Sequence, residues 1–322
     1  MRHLAAVVVL GVLAGPTSAD DLPDVKSKAV VVLDAKTGAE IFSKAADDVR
    51  PIASTTKIFV AMVVRKHNLD LGGWTEINRV DAKEAAGGAR TRLDVGEKFR
   101  NQDLLRAMLM ASDNRAPTAL GRAAGMDPDE LVTAMNKLAK ELGLAHTKFT
   151  SPSGLHGNVS TAREMAIALT AALGDRVLRE IMGDEFETVV SKRHSKIGYG
   201  TTNAPLVAKK YDVVGGKTGY TKPAGYCFIT GARIDSREVV MAFLGADAKQ
   251  TRFADFNRVA AWLDRGAPGS KLAAKLDPKR PKTAPAKHEI EAHGRVAHKA
   301  AEPAEPAEPA NDPAKPGPSI EP

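Results

Sequence analysis

The sequence predicts an α+β fold in which strands from both ends of the chain form one antiparallel sheet and helices fill the middle. Two observations carry this prediction. Apolar, β-branched runs typical of strands occur at 29–42 and again at 212–244, whereas the stretch 103–173 has apolar residues at helical spacing. We therefore expect the helical stretch to be inserted as a lobe between the two halves of the sheet.

The first residues are typical of a secretory signal peptide. Arg2 supplies a positive charge, residues 4–14 form an apolar run, and Thr17, Ser18 and Ala19 are small residues of the kind that precede cleavage. The apolar run is much shorter than the roughly 20 residues that a membrane-spanning helix needs. We expect cleavage after Ala19 and export to the periplasm or cell wall, with the mature chain soluble or peripherally associated and without a stable membrane anchor.

The folded part begins with a predicted hairpin and a buried helix. Strands at 29–33 and 39–42 are joined by a turn at 34–38. The following stretch, Thr55 to Asn68, is apolar on nearly all sides, as is usual for a helix at the centre of a domain. The remaining sheet elements are expected near the end of the folded part: strands at 212–214, 225–234 and 238–244, and a closing helix at 251–264.

Composition limits the class of protein. The chain has 322 residues, of which 43% are hydrophobic, enough for a sizeable core. The single cysteine, Cys227, excludes an intramolecular disulfide, and its apolar surroundings predict a core residue and not a nucleophile. The formal net charge is +7, but no basic segment is interleaved with aromatic residues, so we expect no nucleic-acid partner.

The segment 277–322 differs in composition from the rest of the chain. It contains ten of the 19 prolines and a Glu-Pro-Ala repeat between Glu302 and Pro309. Such a composition buries too little apolar surface to offset the entropy of ordering, so we predict a disordered tail. The chain is thus divided into a signal peptide at 1–19, one catalytic domain at 20–276 and the tail at 277–322.

The first candidate motif pairs a hydroxyl with an amine. Ser54 and Lys57 are three residues apart, so on a helix they share a face and the amine can reach the hydroxyl. A serine hydroxyl is a weak nucleophile and needs an adjacent base, which Lys57 supplies if it can lose its proton. Alone, the pair also fits a helix cap with a surface lysine, although the apolar helix behind it favours a buried site.

Two further motifs are weak when taken singly. Ser112-Asp113-Asn114 follows a predicted helix and fits a common turn that projects a hydroxyl and an amide to one side. Lys217-Thr218-Gly219 places a cation and a hydroxyl where they can bind a carboxylate, with a glycine that permits close approach of a substrate. The same tripeptide, Lys36-Thr37-Gly38, occurs in the predicted hairpin turn, where it implies no catalysis.

In combination and in this order, the three motifs resemble the signature of class A β-lactamases and penicillin-binding proteins. Over roughly residues 25–265 the chain resembles low-molecular-mass penicillin-binding proteins, the serine D-Ala-D-Ala carboxypeptidase family, and within it the smaller periplasmic members that include endopeptidases. Further segments carry this resemblance: Gly96-Glu97, Asp103 to Leu105, Ser153 to Leu155, Asn158 to Glu164 and Ala224 to Cys227.

The resemblance implies the β-lactamase/penicillin-binding-protein transpeptidase-like fold and a mechanism without a cofactor or metal. Ser54 would attack a D-Ala-D-Xaa carbonyl in peptidoglycan stem peptides, with Lys57 as base and Ser112 as proton relay. β-Lactam antibiotics would be covalent inhibitors. The implied substrate contacts are Asn114 for the amide, Lys217 and Thr218 for the terminal carboxylate, Gly219 for close approach, and the N–H groups of Ser54 and Tyr220 for the oxyanion.

Other functions compete with this interpretation. A class A β-lactamase needs a glutamate after the second motif, but the stretch 151–158 contains no carboxylate, and Glu164 forms a predicted capping box with Thr161. A non-catalytic penicillin-sensing wall binder is a second alternative, and a zinc peptidase is disfavoured because no His-Glu-x-x-His helix occurs. Carboxypeptidase is the preferred prediction, with D-Ala-D-Ala endopeptidase as the alternative.

Overall fold

The computed structural model describes residues 22–89 and 91–266. The predicted signal peptide at 1–19 and the predicted tail at 277–322 lie outside the described residues. The strands are β1 (Ala29–Asp34), β2 (Glu40–Lys44), β3 (Arg50–Pro51), β4 (Trp74–Glu76), β5 (Lys98–Arg100), β6 (Val159–Ser160), β7 (Phe186–Val190), β8 (Lys196–Gly200), β9 (Asp212–Thr221), β10 (Gly225–Ile234) and β11 (Arg237–Ala246).

A 3-10 helix at Ala53–Thr56 directly precedes the first α-helix. The α-helices are α1 (Lys57–Lys66), α2 (Arg79–Glu84), α3 (Asn101–Met110), α4 (Ala116–Ala123), α5 (Pro128–Glu141), α6 (Ala162–Gly174), α7 (Arg176–Gly183), α8 (Ala204–Ala208) and α9 (Thr251–Asp264). Among these described helices, none has the length and apolar character needed to cross a membrane.

The main sheet has five antiparallel strands in the order β2-β1-β11-β10-β9. The N-terminal strand β1 therefore pairs with β11, close to the end of the folded part, with Val31 opposite Ala242. Helices α2 to α5 lie between the two sets of strands in the chain. This architecture confirms the predicted α+β fold, with its sheet built from both ends of the chain and its inserted helical lobe.

The side chains of β1 alternate between two hydrophobic cores, because successive residues of a strand point to opposite faces of the sheet. Val31 and Leu33 belong to the core that also contains the apolar residues of α1 and α6. Val30 and Val32 lie in the second core together with Phe256 of α9. Burial on both faces explains why the strand has an uninterrupted apolar sequence instead of an alternating one.

The helix predicted from Thr55 to Asn68 is divided into two parts. The 3-10 turn comes first, with Ala53 in the left-handed region at φ 47°, and α1 then ends at Lys66. The Thr55 hydroxyl donates to the Ile52 carbonyl at 2.6 Å and so satisfies a carbonyl at the start of the turn. Most of α1 is buried, as predicted: Lys57, Ile58, Phe59, Val60, Ala61, Val63 and Val64.

Several predicted bounds differ from the observed ones. The strand predicted at 212–214 continues to Thr221, so the third motif lies within β9. The small antiparallel pairs β4–β5 and β7–β8 were not predicted, because their strands bury few side chains; in β7 only Val189 is buried. In contrast, β10 and α9 have the predicted bounds, and Cys227 is buried in β10 as expected.

A buried carboxylate on α9 fixes the chain that leads into β1. Asp255 accepts hydrogen bonds from the backbone N–H of Lys26 at 2.9 Å and of Ser27 at 2.6 Å. It also accepts from the Ser27 hydroxyl at 2.7 Å and pairs with Arg258 on the same helix. The beginning and the end of the described part of the chain are thereby joined by a polar contact as well as by the sheet.

Candidate active site

The first motif places its hydroxyl and its amine in direct contact. Ser54 lies in the 3-10 turn and Lys57 is the first residue of α1. The Lys57 ammonium Nζ donates to Ser54 Oγ at 2.8 Å. Both residues are buried, and Lys57 has no exposed surface. The predicted pairing on one helical face is therefore present, in surroundings that exclude a surface lysine.

Lys57 has two further acceptors, which lie on other segments of the chain. Its Nζ donates to Asn114 Oδ1 at 2.7 Å and to the Ser153 carbonyl at 2.8 Å. An ammonium has three N–H donors, so these acceptors and Ser54 satisfy it fully. A neutral amine keeps two donors and gains a lone pair, which leaves Asn114 and Ser153 bonded while Ser54 donates its proton to Nζ. The geometry thus suits removal of the Ser54 proton.

Burial changes the proton affinity of this amine. Loss of solvation lowers the pKa of Lys57 from 10.5 to about 7, and the negative charge of Asp113 acts in the opposite direction. A base acts efficiently when its pKa lies near the working pH. Lys57 is therefore partly neutral at neutral pH, as a general base must be.

The second motif contributes unequally to this cluster. Asn114 is buried and contacts Lys57, whereas Ser112 is half-buried with its backbone in the left-handed region at φ 64°. Within the described part of the chain, no hydrogen bond joins Ser112 to Ser54 or Lys57. The motif forms the loop between α3 and α4, so the position of the Ser112 hydroxyl depends on how this loop is held.

The third motif lies on β9, the edge strand of the sheet. Lys217 is buried, and its Nζ donates to the Thr218 carbonyl at 2.8 Å. Burial and the neighbouring charges of Lys57 and Arg252 hold the pKa of Lys217 well below its usual range. The Thr218 hydroxyl bonds to the Thr202 hydroxyl at 2.7 Å. A carboxylate bound here could contact the Thr218 hydroxyl and the Lys217 amine. Its negative charge would favour the protonated form of that amine.

Gly219 brings β9 against the turn that carries Ser54. A Cβ atom at this position would lie 2.9 Å from the Ser54 backbone nitrogen and 3.0 Å from that of Thr55. Only glycine permits such an approach. The next residue, Tyr220, is 48% exposed and stacks on Tyr226 with ring centroids 4.3 Å apart. The backbone of β9 and the 3-10 turn before α1 therefore meet at Ser54.

Sequence reasoning missed three groups that support these motifs. Arg252 is buried on α9 and donates to the Gly219 carbonyl and the Cys227 carbonyl, each at 2.9 Å; burial lowers its pKa to about 10, so it stays charged at neutral pH. A buried arginine on the apolar face of a predicted helix is the signal that could have found it. The Ser153 carbonyl and the Thr202 hydroxyl carry no such signal.

The tripeptide and the glutamate that were set aside both have structural roles, although the role of Glu164 differs from the predicted one. In the exposed hairpin turn, the backbone N–H and the hydroxyl of Thr37 in the duplicate tripeptide both donate to Asp34. Thr161 caps α6 by accepting from the Glu164 backbone N–H at 3.1 Å. The Glu164 carboxylate does not complete the predicted capping box; it accepts from the backbone and ring of His146 and from the Thr147 hydroxyl.

An α+β fold with a buried Ser–Lys pair beside an edge strand defines a serine acyl-transfer enzyme. A family model described as D-alanyl-D-alanine carboxypeptidase matches residues 16–248. A D-alanyl-D-alanine endopeptidase of Pseudomonas aeruginosa is 34% identical, covering 82% of this chain and 86% of its own length. An endopeptidase of the same description from Escherichia coli is 30% identical over 85% of this chain and 88% of its own.

The solved structures agree with the sequence relatives. The crystal structure of the DD-transpeptidase of Streptomyces K15 is similar with a TM-score of 0.69 and 26% identity, over 74% of this chain and 97% of that one. The chain therefore belongs to the serine D-alanyl-D-alanine carboxypeptidase family, whose relatives include endopeptidases. This confirms the resemblance based on the three motifs and the enzyme class expected from it.

Proposed function

We propose that the chain is exported and hydrolyses the terminal D-Ala-D-Ala bond of peptidoglycan stem peptides through an acyl-enzyme on Ser54. The observation that carries this proposal is the buried hydrogen bond of 2.8 Å between the Lys57 amine and the Ser54 hydroxyl. A lysine with a pKa of about 7 can take that proton at neutral pH. Membership of the D-alanyl-D-alanine carboxypeptidase family supplies the class of reaction, and we assign its steps to individual residues.

In the acylation step, Ser54 Oγ bonds to the carbonyl carbon of the penultimate D-Ala while its proton passes to Lys57. The C–N bond then breaks as Ser112 relays a proton to the leaving amine, which departs as D-Ala. In the second step, a water molecule loses a proton to the same base and attacks the ester carbonyl carbon. The bond between that carbon and Ser54 Oγ then breaks, the proton passes from the base to Oγ, and the shortened peptide leaves with a new carboxylate. No oxidant, metal or cofactor is needed for either step.

Substrate binding is assigned to the edge strand and the second motif. Lys217 and Thr218 bind the terminal carboxylate, whose charge raises the pKa of Lys217 and so holds a proton there. The side-chain amide of Asn114 forms a hydrogen bond with the peptide amide of the substrate. The backbone N–H groups of Ser54 and Tyr220 stabilise the oxyanion, a contribution of typically a few kcal/mol per donor. Gly219 keeps these two donors close together.

A second candidate is endopeptidase cleavage of D-Ala-D-Xaa cross-links by the same residues. The observation that favours it is the similarity of 34% and 30% to two proteins described as D-alanyl-D-alanine endopeptidases. Purified cross-linked peptidoglycan distinguishes the two activities by mass spectrometry of the products. An endopeptidase removes dimeric muropeptides, whereas a carboxypeptidase converts pentapeptides to tetrapeptides and leaves the dimers.

A fluorescent penicillin tests the central assignment. We expect covalent labelling of the wild-type chain and complete loss of labelling in Ser54→Ala, because the β-lactam ring acylates the same hydroxyl. Ser43→Ala, on β2, is the matched control and keeps full labelling. Labelling that survives in Ser54→Ala, or a wild type that is never labelled, contradicts the proposal. A peptidase releases the label slowly, whereas a β-lactamase turns over nitrocefin rapidly. These two rates therefore distinguish the two classes of enzyme.

A further inference from the structure

The middle residue of the second motif is a buried carboxylate that the mechanism above does not use. Asp113 is 6% exposed. Its Oδ2 accepts from the Tyr199 hydroxyl at 3.1 Å and from the Arg92 backbone N–H at 2.9 Å. Its Oδ1 accepts from the Arg115 backbone N–H at 3.1 Å. One carboxylate thus joins the loop between α3 and α4, the hairpin β7–β8 and the segment between α2 and β5.

Tyr199 is itself rigidly held. It is fully buried in β8, and the Arg92 guanidinium lies over its ring at 4.0 Å while donating to the Gly198 carbonyl at 2.5 Å. Burial and the nearby charge of Asp113 raise the pKa of Tyr199, so its hydroxyl remains a donor at all pH values of interest. A buried tyrosine usually finds such a partner, but here the partner belongs to an active-site motif.

The neighbour of Asp113 in the chain is the residue that contacts the base. Asn114 Oδ1 lies 2.7 Å from Lys57 Nζ, and the backbone of this loop begins at the left-handed Ser112. Three hydrogen bonds to Asp113 restrain the loop between these two residues. Loss of any of them would let Asn114 move relative to Lys57, and misplacement of a group at a reacting centre lowers the rate.

Asp113 also differs from the other charges near Lys57 in sign. Lys217 on β9 is a cation that interacts electrostatically with Lys57 and with Arg252 on α9. Asp113 faces Lys57 from the motif loop, flanked by Arg92 and Arg115, and its charge raises the pKa of Lys57 against the larger effect of burial. Because its charge opposes the effect of burial on this amine, removal of Asp113 should lower the pKa of Lys57.

We propose that Asp113, held by Tyr199 and the Arg92 backbone, is a positioning residue that keeps Asn114 against Lys57 and places one negative charge beside that amine. The inference rests on the proposed function, in which Lys57 is the base. Asp113 touches neither the nucleophile nor the substrate position. It acts through Lys57 and Asn114, and it couples them to the hairpin β7–β8.

The test is the pH dependence of acylation by a soluble β-lactam, measured in three variants between about pH 5 and 10. Asp113→Asn removes the charge and keeps the size, so the pKa of Lys57 falls and the acid limb of the profile moves down by about one pH unit. Tyr199→Phe keeps the charge, so the limb stays in place. Its rate falls about fivefold at every pH, as expected for one lost hydrogen bond.

Asp81→Asn is the matched control, a buried carboxylate in the same lobe that caps α2 and pairs with Arg122. It reduces thermal stability without moving the limb. The inference is overturned if Asp113→Asn has the wild-type midpoint, or if Tyr199→Phe moves the midpoint as far as Asp113→Asn does. If Asp113→Asn does not fold, Tyr199→Phe decides: wild-type acylation rates in this variant overturn the positioning role.

The same experiment separates this inference from the proposed function. A wild type that reacts with penicillin at Ser54 but shows no shift in Asp113→Asn leaves the serine mechanism intact and refutes the role of Asp113. A wild type that never reacts refutes the serine mechanism itself, whatever the variants show.

Discussion

At the scale of single residues, the site depends on one lysine that is satisfied in both of its protonation states. Lys57 Nζ has three acceptors when charged, Ser54, Asn114 and the Ser153 carbonyl. When Lys57 loses one proton, its amine accepts from the Ser54 hydroxyl instead of donating to it, and its hydrogen bonds to Asn114 and Ser153 remain. A proton can therefore move between nucleophile and base with little rearrangement, which is the property that a preorganised site requires.

Burial of Lys57 also predicts how stability depends on pH. The folded pKa of about 7 lies below the unfolded value of 10.5, so between these pH values the unfolded chain holds a proton that the folded chain has lost. The contribution of this group to the free energy of unfolding therefore rises with pH above about 7, and it is lost as the pH falls towards the folded pKa. Relative to Lys57→Met, the wild type should gain about 1.4 kcal/mol per pH unit between pH 7.5 and 9.

Urea unfolding of both proteins at pH 6, 7.5 and 9 measures this gap. Below pH 7 both states of the wild type are protonated, so the gap should be constant there and favour the methionine variant, which buries no amine. A gap that does not change between pH 7.5 and 9 would mean that Lys57 keeps its proton in the folded state, contrary to its proposed role as base.

The sequence predicted these polar residues to different extents. Ser54 and Lys57 could be predicted because their spacing alone places them on one face of a helix. Asn114 joined them only through the motif order. The Ser153 carbonyl could not be predicted, because a backbone acceptor has no side-chain signature, and its position depends on Gly154, whose left-handed backbone lies against Ala53. Asp113 belongs to a segment that fits a common turn, and its partner Tyr199 is distant in sequence.

At the scale of elements, the important contact is between an edge strand and a helical turn. β9 passes the 3-10 turn so closely that Gly219 has no room for a side chain. The sequence predicted the helix but not the tight turn before it, and it predicted only the first three residues of β9. The turn and the rest of β9 were missed for the same reason. Glycine and polar residues lower strand and helix propensity at the place where the two backbones must approach each other.

Gly219→Ala should separate the two elements and impair acylation. The added Cβ would meet the backbone nitrogens of Ser54 and Thr55 at 2.9 and 3.0 Å, and backbone atoms yield less readily than side-chain ends. We expect the rate of acylation by a fluorescent penicillin to fall by about a hundredfold, since the oxyanion donors are displaced. Gly200→Ala in β8, where a Cβ meets no atom within 4 Å, is the control and should react like the wild type.

At the scale of the whole molecule, the described part of the chain is closed by contacts between its ends. β1 lies between β2 and β11, and Asp255 on α9 binds the backbone just before β1. The overall fold was predictable because both strand-rich regions have strong apolar patterns. The Asp255 contact was not, since it joins two segments with no shared motif. We propose that residues 20–276 form the catalytic domain, with 277–322 as an appended tail.

Asp255→Ala should destabilise the fold without changing the active site. The carboxylate has no exposed surface, and its loss leaves the Lys26 and Ser27 donors unpaired. We expect the free energy of unfolding to fall by about 3 kcal/mol, measured by urea denaturation. Asp264→Ala, exposed near the end of the same helix, should cost less than about 0.5 kcal/mol. Equal effects of the two substitutions would contradict the anchoring role.

The pairing of β1 with β11 has a consequence for the newly made chain. Roughly 200 residues separate these partners, so β1 has no neighbour on that side until β11 has been synthesised. At about 5–20 residues per second, the delay is of the order of ten seconds or longer. For most of this interval Ser54 and Lys57 already exist, but β9 and the strands that support it do not. A nascent chain emerging from the ribosome therefore has no working hydrolase until nearly the whole domain has been made.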